Sequence, residues 1–160
     1  MAGRRLDVDL HETLSNVRSL YLLGQGGLAD FASLKQVEIR VRAMAGFSND
    51  SVGTQVMTDA FRLKPEFGPH TDPDAEGGVR EAIMFLFRGA IGTFKNPQSH
   101  RAVDDDDPVL ASEIVLLADL LMRLLVGSRR AKAPPESAAE RLMALRWFRK
   151  LSPVAGTPQP

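Results

Sequence analysis

The chain has 160 residues, of which 44% are hydrophobic and 25% charged, and its formal net charge at pH 7 is zero. These values are typical of one soluble globular domain, and a neutral chain has no overall field that would attract nucleic acid or a membrane surface. The absence of cysteine excludes disulfides, thiolate metal sites and cysteine nucleophiles. Because no apolar run is typical of a secretory signal or a membrane span, we expect a soluble, cytoplasmic protein.

Hydrophobic spacing in the first part of the chain predicts three helices. The first ends near Gly24, and its apolar stripe consists of Leu10, Leu14, Val17 and Tyr21. The second extends from about Leu28 to a stop at Gly46, and its stripe consists of Phe31, Leu34, Val37 or Glu38, and Val41. A third, shorter helix continues to Phe61, and the residues suited to its N-cap are Ser48, Asn49 and Asp50.

The stretch LKPEFGPHTDPDAEGG, residues 63–78, is rich in proline, glycine and aspartate and predicts a long loop. Long ordered loops in compact domains are often functional, so we expect this loop to form one wall of a pocket. His70, Asp72 and Asp74 are metal-ligand types, but their position among prolines favours a turn with Asx-type hydrogen bonds.

A fourth helix is predicted over residues 79–95 and stops there, because Asn96 precedes a proline that disfavours continued helical geometry. Its predicted core stripe is wide and consists of Val79, Ile83, Leu86, Phe87, Ala90, Ile91 and Phe94.

Asp107 is predicted to cap a fifth helix that has Pro108 in its first turn and extends to about Val126. The consecutive aspartates 104–107 do not all face one ion, and a divalent metal site normally draws its ligands from well-spaced positions. We therefore interpret them as a negative charge at the start of this helix and predict no metal site.

The rest of the chain predicts a linker at residues 127–135, a basic sixth helix at 136–151 and a mobile tail at 152–160. The main domain accordingly spans residues 1–126. The basic residues of the final third are interpreted as solvated helix faces. Since no stretch shows the sustained alternation of a strand, the predicted fold is all-α, with a helical bundle as its architecture.

Phe85, Gly89 and Gly92 lie close together on the side of the fourth helix opposite its core stripe. Glycine inside a helix costs about 1 kcal/mol relative to alanine, so two glycines on one side indicate a close approach to the backbone. The fourth helix of a second protomer would explain the pattern, and so would a neighbouring helix of the same chain. The spacing favours neither explanation.

Lys95, Asn96 and His100 follow one another around the end of the fourth helix. A cation can neutralise a phosphate oxygen, and a histidine with a pKa near neutrality can transfer protons, as phosphodiester cleavage requires. Arg88, on the predicted face of Lys95, and Arg101 are further candidate phosphate contacts. The alternative is a purely structural terminus, in which the cation satisfies the helix dipole and the histidine is solvated.

Five stretches of the chain resemble the prokaryotic family Ymh, a group of conserved hypothetical proteins placed among the HEPN-like domains. They lie between about Leu20 and Leu125 and read VEIRVRAMAG, GTQVMTDAF, HTDPDAEGG, LFRGAIGTFKNPQSHR and DDDDPVLASEIVLLADLLMRLL. The resemblance implies a small HEPN-like helical bundle that forms a homodimer through the helix at residues 79–95. It also implies no cofactor, because HEPN enzymes are mostly metal-independent RNA endonucleases.

The HEPN nuclease motif is an arginine, a polar residue directly after it, and a histidine a few residues further on. Asn96 matches the polar position, His100 matches the histidine, and Lys95 stands where the motif has arginine. Lysine keeps the charge but lacks the bidentate fork of arginine. The resemblance implies that these residues of two protomers form one composite catalytic site. The dimer seam would then consist of Phe85, Gly89 and Gly92.

Two functions are compatible with these observations. The first is a HEPN-type RNA endonuclease that acts as a toxin or phage-defence effector, with RNA as substrate and an antitoxin or defence-system protein as partner. The second is a non-catalytic helical dimer that binds RNA, a nucleotide or a partner protein.

Overall fold

The computed structural model describes Leu6 and residues 9–96 and 107–131, with side chains as far as Leu125. The described helices are α1, Ser15–Leu22; α2, Gly26–Ala45; α3, Gly53–Ala60; α4, Gly77–Ala90; and α5, Pro108–Ala131. A 3-10 turn, Glu12–Leu14, precedes α1, and a π-helical turn, Ile91–Lys95, continues α4 and is called the π segment below. The predicted stop after Lys95 is wrong, because Asn96 keeps helical backbone angles, φ of −63° and ψ of −42°, although a proline follows it. No strand occurs in these parts of the chain, so the prediction of an all-α fold is confirmed.

The described helices belong to one compact unit, Met1–Ser128, apart from the last residues of α5. α5 continues past Val126, where the sequence predicted its end, to Ala131. The rest of the predicted linker, the sixth helix and the tail lie outside the described residues.

One apolar core joins α1 to α5. Its buried side chains come from every helix and from the 3-10 turn, and they include Leu14, Val17, Leu34, Val37, Val41, Val56, Met57, Phe87, Ile91, Leu121, Met122 and Leu125. Burying a side chain of this size stabilises the fold by about 1.5–3 kcal/mol, so the packing of these helices is the main source of stability.

Helix α2 is the central element, because it packs against α1, α3 and the π segment. It ends at Gly46, which adopts the left-handed conformation with φ of 70° and confirms the predicted stop. The sequence left open whether Val37 or Glu38 belongs to the buried stripe. Both are buried, with no exposed surface, because neighbours cover α2 on more than one side.

Helix α3 begins without the side-chain cap that the sequence predicted. Its N-cap is Val52, in an extended conformation and without a side-chain hydrogen bond, rather than Ser48, Asn49 or Asp50. The first amide, the N–H of Gly53, instead donates to Oε2 of Glu38 at 2.9 Å. A carboxylate from α2 thus replaces the local cap, which is why the residue types before the helix gave the wrong position.

Helix α4 buries a narrower face than its sequence predicted. Phe87, Ala90 and Ile91 are buried, whereas Val79 and Leu86, two members of the predicted core stripe, are 51% and 37% exposed. The stripe was too wide because no other described element covers that side of α4.

Asp107 caps α5 as predicted, since its Oδ1 accepts the N–H of Val109 at 2.9 Å. The hydroxyl of Tyr21 donates to the carbonyl of Pro108 at 2.9 Å and fixes the start of α5 against α1. Near its middle, α5 holds the N-terminal segment: Asp119 accepts the N–H of His11 at 2.6 Å and pairs with Arg123 at 2.7 Å.

Candidate functional site: a buried carboxylate at the end of helix α4

The end of α4 is attached to α2 through the carboxylate of Glu38, whose side chain has no exposed surface. Oε2 of Glu38 lies 3.0 Å from Nζ of Lys95 and accepts the Gly53 amide. Oε1 lies 2.9 Å from Nζ of Lys35 and 3.4 Å from Nη1 of Arg42. We call these five residues the Glu38 cluster, and they come from α2, the start of α3 and the π segment.

The Glu38 cluster carries more positive than negative charge. It contains three cations and one carboxylate, which leaves a formal surplus of two positive charges. The positive end of the α3 dipole adds to this surplus. The side chain of Lys35 is 34% exposed, against 12% for Arg42 and 8% for Lys95, so Lys35 is the member most open to solvent. The cluster by itself therefore has a positive formal charge, although the whole chain is neutral.

The pKa of Glu38 lies below its ordinary value despite its burial. Burial by itself raises the pKa, but hydrogen bonds from Lys35 and Lys95, the amide of Gly53 and the charge of Lys95 outweigh it. Glu38 is consequently ionised at neutral pH, and the cluster is a charged assembly rather than a neutral one.

The π segment brings Lys95 to this carboxylate. The π-type hydrogen bond is seen at Asn96, whose N–H donates to the carbonyl of Ile91, five residues earlier. A π turn uses more residues per revolution than an α turn, so side chains after Ala90 lag behind the regular helical spacing. Lys95 is accordingly buried while Arg88 is exposed, and the two do not share a face as the sequence predicted.

Asn96 lies beside the start of α3. A Cβ atom placed on Gly53 would be 3.4 Å from Oδ1 of Asn96, and Gly53 has φ of +66°, a conformation that other residues rarely adopt. Gly53 therefore starts α3 with a backbone conformation that favours glycine, and its N–H donates to Glu38. Lys95 and Asn96, two of the three predicted catalytic residues, are held against the same structural junction.

The predicted dimer seam divides into two different environments. A Cβ atom on Gly92 would lie 3.1 Å from Cγ2 of Thr54, so at this position a neighbouring helix of the same chain makes the close approach. Gly89 has no atom within 4 Å of the corresponding point, and Phe85 is 53% exposed. Phe85 and Gly89 lie on an exposed apolar surface that we call the α4 face, formed by Val79, Ala82, Phe85, Leu86 and Gly89.

His100 and Arg101 lie outside the described residues, and so do Asp104–Asp106. Their predicted roles stay predictions. Arg88 is exposed on α4, where it is accessible to a ligand but separated from the buried face of Lys95.

The loop before α4 lines a cavity, as the sequence predicted. His70, Thr71 and Asp72 form part of its wall, and the cavity has a volume of about 120 Å³. The predicted Asx turn is confirmed by the hydrogen bond from the N–H of Asp74 to Oδ1 of Asp72 at 2.9 Å. Nε2 of His70 donates to the carbonyl of Val41 at 3.1 Å, which fixes the loop to α2. Within the described ranges, no group of three potential ligand side chains is placed to hold a metal ion.

The sequence reasoning missed Glu38, Lys35 and Arg42 as members of a site. Their spacing of three and four residues on one helix is a detectable signal for side-chain pairing. Nothing local indicates that Lys95 and the amide of Gly53 join them, because those partners are distant in the sequence.

Fold and site together define an all-α protein with a buried, cation-rich carboxylate cluster beside the π segment. A family model described as "Protein of unknown function (Hypoth_ymh)" matches residues 9–125. This match covers most of the chain, and the protein belongs to that family. No curated protein and no solved structure gives a significant match to the chain. In the described part of the chain, no helix is long and apolar enough to cross a membrane.

Proposed function

We propose that the protein is a HEPN-type, metal-independent RNA endonuclease that acts as a homodimer. The observation that carries the proposal is the anchored π segment, where Lys95 belongs to a cluster with a formal surplus of positive charge and Asn96 follows it directly. The π segment supports it, since π turns within helices occur frequently at functional sites. Cations attract the phosphate backbone of RNA, and Lys35, the most exposed cation of the cluster, is 34% exposed.

In the proposed reaction the 2′-oxygen of RNA attacks the adjacent phosphorus while the bond to the 5′-oxygen of the next nucleotide breaks. His100 performs one of the two proton transfers, removing the 2′-hydroxyl proton or protonating the departing 5′-oxygen, and water performs the other. Lys95 and the cluster stabilise the negative charge on the phosphate, and Asn96 orients the phosphate or His100. The products are a 2′,3′-cyclic phosphate and a 5′-hydroxyl, so DNA is not a substrate.

The α4 face supports the proposed dimer. Phe85 and Leu86 expose large apolar surfaces beside Gly89, which has open space around it. In a contact between two such helices the large apolar side chains would be buried, and the glycine would allow the two backbones to approach closely. A symmetric contact there would join the same surface of two copies of α4 and bury these apolar side chains.

One observation favours a second candidate, a non-catalytic helical module that binds RNA, a nucleotide or a partner protein. Nζ of Lys95 is already 3.0 Å from a buried carboxylate, and its side chain is only 8% exposed. An ammonium in this position contributes to the fold, whereas an arginine of the nuclease motif is available to a phosphate.

The experiment that separates the two is RNA cleavage by purified protein in the presence of EDTA. We expect cleavage that leaves 2′,3′-cyclic phosphate ends and disappears in His100→Ala. His11→Ala is the matched control, because His11 belongs to the N-terminal segment and contacts Thr13 and α5 rather than the end of α4. Activity that persists in His100→Ala indicates a contaminating ribonuclease, and an absence of cleavage across varied RNAs supports the binding module.

The cellular role proposed for the endonuclease is that of a toxin or phage-defence effector, restrained by an antitoxin or acting with a defence-system protein. Expression of the wild-type chain should then arrest growth, and His100→Ala should relieve the arrest at equal protein level. Equal growth of the two strains would contradict this role without excluding RNA binding.

A further inference from the structure

We propose that Glu38 is a positioning residue, which holds the π segment against α3 and thereby fixes the placement of Lys95 and Asn96 for the reaction. This inference rests on the proposed endonuclease function for its catalytic consequence. Its structural part, the attachment of the π segment by Glu38, is independent of any activity.

The geometry gives Glu38 two separate connections through a single oxygen. Oε2 pairs with Lys95 at 3.0 Å and accepts the amide of Gly53 at 2.9 Å. The end of α4 and the start of α3 are therefore both held by one atom of α2. Asn96 follows Lys95 directly in the chain, and its Oδ1 lies 3.4 Å from the point where a Cβ atom of residue 53 would be, so its position depends on the same junction.

The π segment needs such an attachment. A π turn is rare because its hydrogen-bond geometry is less favourable than that of an α-helix, and tertiary contacts must select it. The contacts that do so here are the pair between Lys95 and Glu38 and the close packing of Gly92 on Thr54. If the pair is removed, the end of α4 can relax towards regular α geometry, which would rotate Lys95 and Asn96 around the helix.

The other two partners of Glu38 support a role in orientation. Lys35 and Arg42 bind Oε1 from the same helix, α2, and so restrict the rotation of the carboxylate. Arg42 also donates to the carbonyl of Ser51 at 3.1 Å, which fixes the chain just before α3. Residues of α2 itself thus fix the orientation of Oε2, and Lys95 is positioned by pairing with this atom.

The test compares Glu38→Gln with Asp119→Asn in the full chain, because both changes neutralise a largely buried, ion-paired carboxylate. Asp119 binds Arg123 of its own helix, α5, and the amide of His11, and neither partner belongs to the Glu38 cluster, so its variant reports the effect of general destabilisation. Amide hydrogen exchange is measured at Gly53 and Asn96, and RNA cleavage is measured in parallel as kcat and KM.

We expect exchange at Gly53 and Asn96 to accelerate at least about ten-fold in Glu38→Gln relative to Asp119→Asn. We expect kcat to fall by about 100-fold, the cost of a misplacement of about 1 Å, with little change in KM. Equal exchange in the two variants would overturn the proposed attachment. Faster exchange with unchanged kcat in an active protein would overturn its catalytic consequence.

If wild-type protein cleaves no RNA, the endonuclease proposal fails while the exchange comparison still decides whether Glu38 holds the π segment. If Glu38→Gln does not fold, the double variant Glu38→Gln with Lys95→Met replaces it in the exchange measurement, since it removes both charges of the pair and leaves neither buried alone. Wild-type exchange rates at Asn96 in that double variant would equally refute the attachment.

Discussion

Replacing Glu38 by glutamine should destabilise the fold strongly, because it breaks a buried ion pair by removing one partner. The change keeps the shape of the side chain and one acceptor for the amide of Gly53, but it removes the only negative charge in the Glu38 cluster. Lys95 then has an ammonium on a side chain that is 8% exposed, without its carboxylate. Breaking a buried pair in this way costs about 3–5 kcal/mol.

The cost should fall towards the lower end of this range, because Lys35 and Arg42 are more exposed than Lys95 and can turn towards water. The assay is equilibrium unfolding in urea, with the free energy of unfolding of the variant compared with that of the wild type. The double variant Glu38→Gln with Lys95→Met should lose less than the sum of the two single changes. A loss below about 1 kcal/mol in Glu38→Gln would refute the reasoning, since a loss of that size is typical of solvent-exposed ion pairs.

The remaining predictions concern pH, backbone, dimerisation and capping. The pKa of Glu38 is lowered from 4.5 in the folded state, so its contribution to stability is present above that pH and is lost as the pH falls through the folded pKa. The free energies of unfolding of wild type and Glu38→Gln, measured from pH 7 to pH 3, should therefore converge in acid. A difference that stays constant over this range would contradict the prediction. Gly53→Ala should cost about 1–2 kcal/mol because φ is +66°, while Gly89→Ala, with open space, should stabilise the monomer by about 0.5–1 kcal/mol. Phe85→Glu should convert a dimer to a monomer in light scattering, and wild-type mass would argue against the α4 face as the interface. Asp107→Ala should lower the free energy of unfolding by about 1 kcal/mol, because the side-chain cap of α5 is lost. An unchanged midpoint of urea unfolding would show that this cap contributes nothing to stability.

Substitutions at the α4 face offer a control for the site itself. Phe85 is exposed in the monomer, so Phe85→Glu should leave the stability of the folded chain within about 0.5 kcal/mol of the wild type in dilute solution. If the composite-site proposal is correct, the same variant should lose RNA cleavage although the Glu38 cluster is intact.

Local signals in the sequence determined which segments are helical. The all-α class, the stop of α2 at Gly46 and the cap of α5 at Asp107 follow from hydrophobic spacing and from residue types that suit helix ends. The loop before α4 was also predictable, together with its Asx turn, because proline, glycine and aspartate act on the backbone within a few residues. These features depend on interactions between near neighbours.

Only the tertiary structure decided how the candidate site is built. The sequence placed Arg88 and Lys95 on one face at regular helical spacing, but the π segment separates them and buries Lys95. It also assigned the cap of α3 to residues before the helix, whereas Glu38 on α2 accepts the first amide. Whether Glu38 is buried could not be decided from the sequence. A glutamate in an apolar stripe is stable there only when cations from other parts of the fold pair with it.

The physical reason is the range of the interactions. A helix forms from hydrogen bonds and side-chain contacts within about one turn, so the local sequence pattern is enough to predict it. The charge of a buried carboxylate is balanced by whatever the fold brings to it, and the partners of Glu38 extend to Lys95. A π turn is likewise selected by the contacts it permits rather than by the residues it contains, so its presence follows from the packing of α4 on α2 and α3.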